Sequence, residues 1–133
     1  MLKQTELFPE SDVMPPRYPV TDLIRVPFEW RSVDDLLSMA SGDFGSEGMA
    51  DEWARSYKRS DDGYEALRQD IEDNGFMDPV YVQPPMSILS FEFPEMLRNG
   101  HHRVVAAFDL GYTHVPVTFD EDDGWETSGI ETA

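Results

Sequence analysis

The pattern of hydrophobic positions predicts a first helix after Ser32, whose hydroxyl can accept a hydrogen bond from the amides of a first helical turn. The apolar residues that follow share one helical face at i, i+3, i+4 and i+7, and they are Val33, Leu36, Leu37 and Ala40. We expect this helix to end near residues 41–42. The stretch 42–48 contains three glycines, so we interpret it as a mobile connection.

The same spacing predicts two more helices before residue 75. The buried face of the second would consist of Ala50, Trp53, Ala54 and Tyr57. Asp62 and Glu65 form a start of the third helix that is typical of a capping box. The buried stripe of that helix would consist of Tyr64, Leu67 and Ile71. We expect Gly75 to stop the helix in a left-handed conformation.

Strand-like segments alternate with these helices and are bounded by prolines and glycines. They are residues 20–26, residues 80–82, residues 88–93, residues 96–98 and residues 113–119. Pro116 lies in the last of them, so we expect that strand to lie at a sheet edge or to start late. Residues 101–110 predict a helix that Gly111 stops. The alternation of helices and strands indicates the α/β (α+β) fold class.

The composition favours one folded domain with looser ends. The chain has 133 residues, of which 40% are hydrophobic and 12% aromatic, which is enough apolar content for a core. We expect a folded domain over residues 20–119, a proline-rich arm over residues 1–19 and an acidic, solvated tail over residues 120–133. No segment approaches the roughly 20 apolar residues that span a bilayer. We therefore expect a cytoplasmic protein without a membrane partner.

The charge and the lack of cysteine exclude several kinds of chemistry. The chain has 27 acidic and 10 basic residues, a formal net charge of −17. Because few cations are available to replace the counterions of a phosphate backbone, we expect no binding to duplex nucleic acid. The chain contains no cysteine, which excludes disulfides, thiolate metal sites and cysteine nucleophiles.

The candidate chemistry lies between a predicted short strand and a predicted helix. Gly100 allows a sharp turn there, and the amides and dipole at a helix start attract anions. Arg103 adds a planar guanidinium that suits phosphate oxygens. The predicted anion site consists of Asn99, Gly100, His101, His102 and Arg103. Local physics alone is equally consistent with a plain turn in which Arg103 pairs with a carboxylate.

From Tyr64 to Phe119 the sequence resembles the core of the ParB/sulfiredoxin superfamily in the order and spacing of its motifs. The similar segments are Gly75-Phe-Met-Asp-Pro-Val80, Asn99-Gly-His-His-Arg103, Val104-Val-Ala-Ala107, Leu110-Gly111 and Val115-Pro-Val117. Upstream, Arg31 lies in a segment that loosely resembles the family's proline-arginine segment. The resemblance implies a small ParB/sulfiredoxin-like domain, with a short mixed sheet flanked by helices, and adds Arg31 to the anion site.

The resemblance also implies a ligand. In ParB-like members the corresponding turn serves CTP, and in sulfiredoxins it serves ATP-driven reduction of a sulfinic acid. Gly100 and Arg103 match both patterns and His102 matches the sulfiredoxin histidine, but His101 replaces the essential cysteine, which excludes thiol catalysis. No basic helix-turn-helix segment follows, so chromosome partitioning is not expected. The resemblance therefore implies a nucleotide- or phosphate-binding module for a nucleoside triphosphate, CTP or ATP with Mg²⁺.

Turnover and metal binding are less well defined by the sequence. NTP hydrolysis or phosphoryl transfer stays open, because no general base is assigned, although Glu29 and Glu65 are the carboxylates nearest the motifs. The histidines at positions 101, 102 and 114 lack the spacing of a metal site, so we expect none from them. Asp61, Asp62 and Glu65 could hold Mg²⁺ beside a nucleotide, but helix capping explains them more simply.

Two surface features allow other interpretations. Aromatic and basic side chains between residues 53 and 64 could form a stacking surface for single-stranded nucleic acid, but neighbouring acids favour an amphipathic helix. The net charge of −17 also supports a function of another class, a non-enzymatic acidic interaction protein or DNA mimic that binds a basic surface of a protein partner. Solubility alone would also account for that charge.

Overall fold

The computed structural model describes residues 15–39 and 48–122, and within these ranges helices and strands form an α+β fold. The helices are α1 (Val33–Ser38), α2 (Glu52–Arg59), α3 (Tyr64–Asn74) and α4 (His101–Asp109). The strands are β1 (Glu29–Ser32), β2 (Val80–Gln83), β3 (Met86–Ile88), β4 (Phe91–Phe93), β5 (Met96–Asn99) and β6 (His114–Thr118). The predicted fold class is confirmed. Predictions for residues 1–14, 40–47 and 123–133 lie outside the described residues.

Four strands form a mixed sheet in the order β1-β6-β2-β5. Strand β6 is antiparallel to β1 and parallel to β2, and β2 is antiparallel to β5. The register places Arg31 opposite Val115 and Val80 opposite Val117. Strands β3 and β4 form a separate two-stranded hairpin. The mixed sheet therefore has β1 and β5 as its two edge strands.

The position of β6 corrects the prediction drawn from Pro116. The strand lies inside the sheet, between β1 and β2, and it begins at His114 rather than late. The ladder to β2 includes only Val117 and Thr118. Pro116 is tolerated because it precedes that second ladder, where a missing amide would otherwise cost a hydrogen bond.

The first strand also differs from the prediction, because residues 20–26 form no strand and β1 begins at Glu29. The backbone of the earlier segment is used elsewhere. The carbonyl of Val20 accepts a hydrogen bond from the amide of Phe76 at 2.9 Å, and the amide of Ile24 donates to the carbonyl of Thr21. The apolar side chains of this segment therefore belong to an irregular stretch packed on the domain.

Helix α1 begins as predicted and ends early. The Ser32 hydroxyl accepts a hydrogen bond from the amide of Asp35 at 3.0 Å, which confirms its role as the cap. The helix ends at Ser38 because Met39 has an extended backbone with ψ of 147°, and its amide turns back to the carbonyl of Leu36.

Helix α3 has the predicted buried stripe, which consists of Tyr64, Leu67 and Ile71. Its start is different, because Gly63 with φ of 88° is the N-cap and no side chain of the described residues caps the helix. The predicted capping box is therefore wrong. The stop at Gly75 is confirmed, with φ of 81°. A Cβ atom at Gly75 would lie 2.0 Å from the carbonyl oxygen of Val20, so only glycine fits there.

Helix α2 buries Ala54 as predicted, but it turns Lys58 and not the two predicted aromatic side chains to the core. Ala54 and Lys58 are buried, whereas Trp53 and Tyr57 are 66% and 53% exposed. The guanidinium of Arg55 stacks over an aromatic ring of α4 at 4.5 Å. The long stems of lysine and arginine can cover apolar surface, and here they take the place that the spacing assigned to aromatic side chains.

Helix α4 lies at the centre of the packing, where it contacts the other three described helices together with β2 and β6. Its buried positions include four consecutive side chains that are completely inaccessible, Val104, Val105, Ala106 and Ala107. A helix buried on several faces is fixed by its neighbours. The position of its first turn is therefore determined by the whole core.

The carboxylate of Asp109, at the end of α4, binds α2 and α3 together. Arg59 donates to its two oxygens at 2.8 and 2.9 Å, and the Tyr64 hydroxyl donates to it at 2.5 Å. Burial alone would raise the pKa of Asp109, but the hydrogen bonds from Arg59 and Tyr64 outweigh burial and lower it. Burial is the largest cause that raises the pKa of the Tyr64 phenol, and the hydrogen bond to Asp109 raises it further.

The described part of the predicted arm is docked on the domain. The amide of Thr113 donates to the carbonyl of Arg17 at 2.9 Å, and the amide of Arg17 donates to the Thr113 hydroxyl at 2.7 Å. Tyr18 stacks on His114 with ring centroids 4.8 Å apart. We call residues 17–20 the N-terminal strap. The packed part of the chain therefore includes residues before the predicted boundary at residue 20.

Candidate anion-binding site

Gly100 joins β5 to α4 in a backbone conformation that residues other than glycine rarely adopt, with φ of 102° and ψ of 21°. A Cβ atom at this position would lie 2.5 Å from a methyl carbon of Val80 and 3.0 Å from Nη2 of Arg103. The turn therefore admits only glycine. It also holds the backbone at the start of α4 against the Arg103 guanidinium.

The first turn of α4 has the charge distribution of an anion site. It contains no acidic residue, and no side chain in the described ranges caps it. His101, His102 and Arg103 occupy its first three positions. Since the amides and the positive end of the helix dipole also point toward this end, the turn combines several groups that favour negative charge.

Arg103 is held inside this turn, with only 3% of its surface exposed. Its Nη1 donates a hydrogen bond to the carbonyl oxygen of Asp78 at 2.7 Å. The guanidinium thus connects the segment before β2 to the first turn of α4. This contact could not be predicted from the sequence, because a backbone carbonyl acceptor can belong to any residue.

His102 contacts a carboxylate that we considered from the sequence only as a candidate Mg²⁺ ligand or a helix cap. Its Nε2 lies 2.5 Å from Oδ2 of Asp61. The His102 side chain is 7% exposed and the Asp61 side chain is 53% exposed. Asp61 belongs to the connection between α2 and α3, so that connection lies over the start of α4. An anion that approaches His102 from solvent would compete with this carboxylate.

Asn99 and His101 complete the predicted set on the inner side of the turn. They are 2% and 1% exposed. The five residues from Asn99 to Arg103 thus come together in one buried turn. Of the residues in contact with this turn, Asp61 is the one whose side chain reaches solvent.

Arg31 lies apart from this turn, in β1. Its guanidinium pairs with Glu95 at 2.7 Å and with Asp35 at 3.0 Å. Within the described residues, no hydrogen bond or ion pair joins Arg31 to residues 99–103. The hydrogen bond from Arg31 lowers the pKa of Glu95. Since Glu95 immediately precedes β5, this ion pair connects the two edge strands of the mixed sheet.

Glu29 and Glu65, the carboxylates that we considered nearest the motifs, make their contacts away from residues 99–103. Glu65 accepts hydrogen bonds from Arg68 on α3, at 2.6 and 3.1 Å. Glu29 borders a cleft of about 490 Å³ that lies away from residues 99–103. The cleft is lined by Pro27, Phe28, Glu29, Val117, Thr118, Phe119 and Asp120. Neither glutamate is placed by the structure as a base beside the turn.

The structure also describes the histidines considered as metal ligands and the aromatic residues considered as a stacking surface. In residues 15–39 and 48–122, no group of three histidine, aspartate or glutamate side chains could share a metal ion. His114 instead places its Nδ1 2.8 Å from the hydroxyl of Thr113. Trp53 and Tyr57 pack edge to face at 4.8 Å on the outer side of α2, but Arg59 is engaged by Asp109 and Tyr64 is buried. Aromatic and basic side chains therefore do not alternate on one open surface.

Comparison with known proteins adds no relative, since no protein-family model, curated protein or solved structure matches the chain. The resemblance to the ParB/sulfiredoxin superfamily thus rests on the motif residues and stays a prediction. Within the part of the chain that the structure describes, no helix has the length and apolar character needed to cross a bilayer.

Proposed function

We propose that this chain is a nucleotide- or phosphate-binding module and that residues 99–103 form its anion site. The observation that carries the proposal is the conformation of Gly100, with φ of 102° and no room for a Cβ atom beside Nη2 of Arg103. This conformation holds a guanidinium next to the positive end of a nine-residue helix. A phosphate group is the ligand that this combination suits best.

Access to the turn passes by Asp61. Because Asp61 is the exposed partner in its contact with His102, a phosphate that binds there displaces this carboxylate and takes over its hydrogen bond. The displacement requires only a local movement of the connection between α2 and α3. The binding free energy of the phosphate is then reduced by the cost of breaking the Asp61–His102 contact.

The ligand proposed is a nucleoside triphosphate, CTP or ATP, with Mg²⁺ bound to its phosphates. Asp61, once released from His102, and Asp62 are the carboxylates near enough in sequence to the displaced contact to assist the metal. No general base is assigned, since Glu65 is engaged by Arg68 and Glu29 borders the separate cleft. The proposal therefore concerns binding, and turnover is not part of it.

Calorimetric titration tests this proposal with CTP, ATP, GTP and inorganic phosphate at fixed Mg²⁺ and salt. The variant Arg103→Lys keeps the charge but loses the planar fork, and we expect affinity to fall about ten- to a hundredfold, as for the loss of a charged hydrogen bond of about 1.5–3 kcal/mol. Arg68→Lys, on the exposed side of α3, is the matched control and should bind as wild type does. If no ligand distinguishes wild type from Arg103→Lys, the turn is not the anion site.

A second candidate function is favoured by the cleft beside β1. The cleft has phenylalanine walls, Phe28 and Phe119, and two carboxylates, Glu29 and Asp120. The side chain of Glu29 makes no hydrogen bond or ion pair within the described residues. A lysine or arginine side chain of a basic partner protein would fit this combination through charge and cation–π contacts.

Binding of an oligolysine peptide, measured by fluorescence anisotropy over a salt series, tests this second function. We expect binding that weakens as salt rises, and further weakening in Glu29→Gln. The control is Glu72→Gln, an exposed position on α3 that lies outside the cleft. Equal binding by the two variants would show that general negative charge, and not the cleft, attracts the peptide.

A further inference from the structure

The hairpin formed by β3 and β4 has one apolar and one polar face. Residues paired across antiparallel strands share a face. The apolar face consists of the cross-strand pairs Met86–Phe93 and Ile88–Phe91. On the other face the hydroxyl of Ser87 donates to the carboxylate of Glu92 at 3.0 Å. The only charged side chain of the hairpin therefore points away from the apolar face.

This apolar face is uncovered within the described residues. Its four side chains are between 39% and 68% exposed, and Leu89 at the tip is 86% exposed. We call these five residues the hairpin face. In the described ranges β3 and β4 pack extensively only on each other, and a two-stranded hairpin gains little stability by itself in water. A face of this kind is typical of an interaction surface.

The tip of the hairpin is also unusual in its backbone. Leu89 and Ser90 have φ of 50° and 74°, which is the left-handed region where two-residue hairpin turns normally place asparagine and glycine. A leucine there is disfavoured by its backbone conformation, and its exposure to water adds a second penalty. Contact with another surface would remove the second penalty.

We propose that the hairpin face is the surface through which a second copy of this chain binds, in a two-fold symmetric dimer. The face has no charge, although the chain has a net charge of −17. Two copies can therefore join there without placing acidic groups in contact. An uncharged apolar face is complementary to itself, as a two-fold interface requires.

The area of the face is sufficient for such a dimer. A fully exposed large apolar or aromatic side chain presents roughly 200 Å², so the five side chains, at their exposed fractions, together expose about 560 Å² per copy. Two copies would then bury about 1,100 Å², which exceeds the roughly 1,000 Å² that a specific interface needs but is smaller than a standard interface. We therefore expect a dimer of modest affinity.

The charge of the chain predicts how this dimer depends on salt. Two copies that each have a charge of −17 repel one another, and salt screens the repulsion without weakening the apolar contact. Dimerisation should therefore strengthen as sodium chloride is added. A contact made by acidic groups with a basic partner would show the opposite dependence.

Analytical ultracentrifugation of the full chain, over a range of concentrations at low and high sodium chloride, tests the proposal. Wild type should self-associate, more tightly at high salt. Phe91→Ser should raise the dimer dissociation constant at least about tenfold, whereas Trp53→Ser, which removes an equally exposed aromatic ring from α2, should leave it unchanged. A wild-type chain that stays monomeric at all concentrations, or a Phe91→Ser variant that dimerises as well as Trp53→Ser, overturns the proposal.

A cross-linking measurement tests the geometry directly, because the chain has no cysteine of its own. Ile88→Cys places the sole thiol on the hairpin face, and Ser87→Cys places it one residue away on the opposite face. A short bis-maleimide reagent should link Ile88→Cys into covalent dimers several times faster than Ser87→Cys. Equal rates would overturn the proposal, because they would show that two copies do not meet at the hairpin face.

Discussion

The carboxylate of Asp61 lies 2.5 Å from Nε2 of His102, although 41 residues separate the two in the sequence. The contact joins the connection between α2 and α3 to the first turn of α4. It also places a negative charge where the proposed phosphate would bind. If the proposed phosphate binds there, the same carboxylate would compete with it for His102.

This relationship predicts that Asp61→Asn binds phosphate-bearing ligands more tightly than wild type. Removing the charge weakens a competitor that is half exposed, and a contact of that kind contributes up to about 1 kcal/mol, or about fivefold in affinity. Calorimetry with inorganic phosphate measures the change without interference from Mg²⁺. Asp62→Asn, at the next position, is the control and should show a smaller gain. Weaker binding by Asp61→Asn would mean that this carboxylate helps to hold the ligand.

Gly100→Ala should lower the free energy of unfolding by about 2–4 kcal/mol, because the new methyl group meets Val80 in a strained backbone. Gly111→Ala is a matched control, with a comparable φ of 84° but only the flexible end of Arg17 near the added Cβ atom. We expect it to cost about 1 kcal/mol. Urea unfolding compares the two. Equal losses would show that the Gly100 turn is not packed as tightly as described.

The stability that Tyr64 contributes should be lost in alkaline solution, where the phenol ionises. Its pKa is raised in the folded state, so its contribution is present below the unfolded pKa of about 10 and is lost as the pH rises above that value. The Tyr64→Phe variant should be less stable than wild type at neutral pH, by about 1–2 kcal/mol, and its melting temperature should fall less between pH 9 and pH 11. Tyr57→Phe, at an exposed position, should keep the wild-type pH dependence.

The stability that Asp109 contributes should be lost in acid, whereas that of Tyr64 is lost in alkaline solution. Its pKa is lowered in the folded state, so its contribution is present above the unfolded pKa of about 3.9 and is lost as the pH falls through the folded value. Asp109→Asn should therefore reduce the loss of stability below about pH 4, while Asp22→Asn, at an exposed position, should not. Thermal unfolding over a pH series measures both. If Asp109→Asn loses as much thermal stability in acid as wild type does, the role given to this carboxylate is wrong.

The parts of the fold that could be predicted depend on neighbours in the sequence. Ser32 caps α1, and the stripe of α3 is buried, because capping and helical spacing act within a few residues. The buried face of α2 was predicted only for Ala54, since the burial of Lys58 in place of the aromatic side chains depends on the packing of α4. The first strand was misplaced for a similar reason, because the carbonyl of Val20 is bound by a residue from the end of α3.

In the candidate site too, features that depend on sequence neighbours could be predicted, and contacts between distant residues could not. The residues from Gly100 to Arg103 are adjacent, so the sequence alone could propose them together. Asp61 was named from the sequence only as a candidate Mg²⁺ ligand, and its contact with His102 could not be predicted, because nothing in its local sequence distinguishes it from other acidic residues near helix starts. The pairing of Arg31 with Glu95 spans 64 residues and depends on the arrangement of the sheet edges. Contacts of that separation require the folded structure.

The N-terminal strap gives the domain a way to open partially. Its bonds to Thr113 and Phe76 close two long loops, the larger of which includes most of the chain, and closing such loops costs conformational entropy. The strap should therefore detach as a unit before the core unfolds, and the amides of Phe76 and Thr113 should exchange with deuterium at one common rate. Since the strap covers the ends of both α3 and α4, a partner that bound it in the detached state would loosen two helices at once.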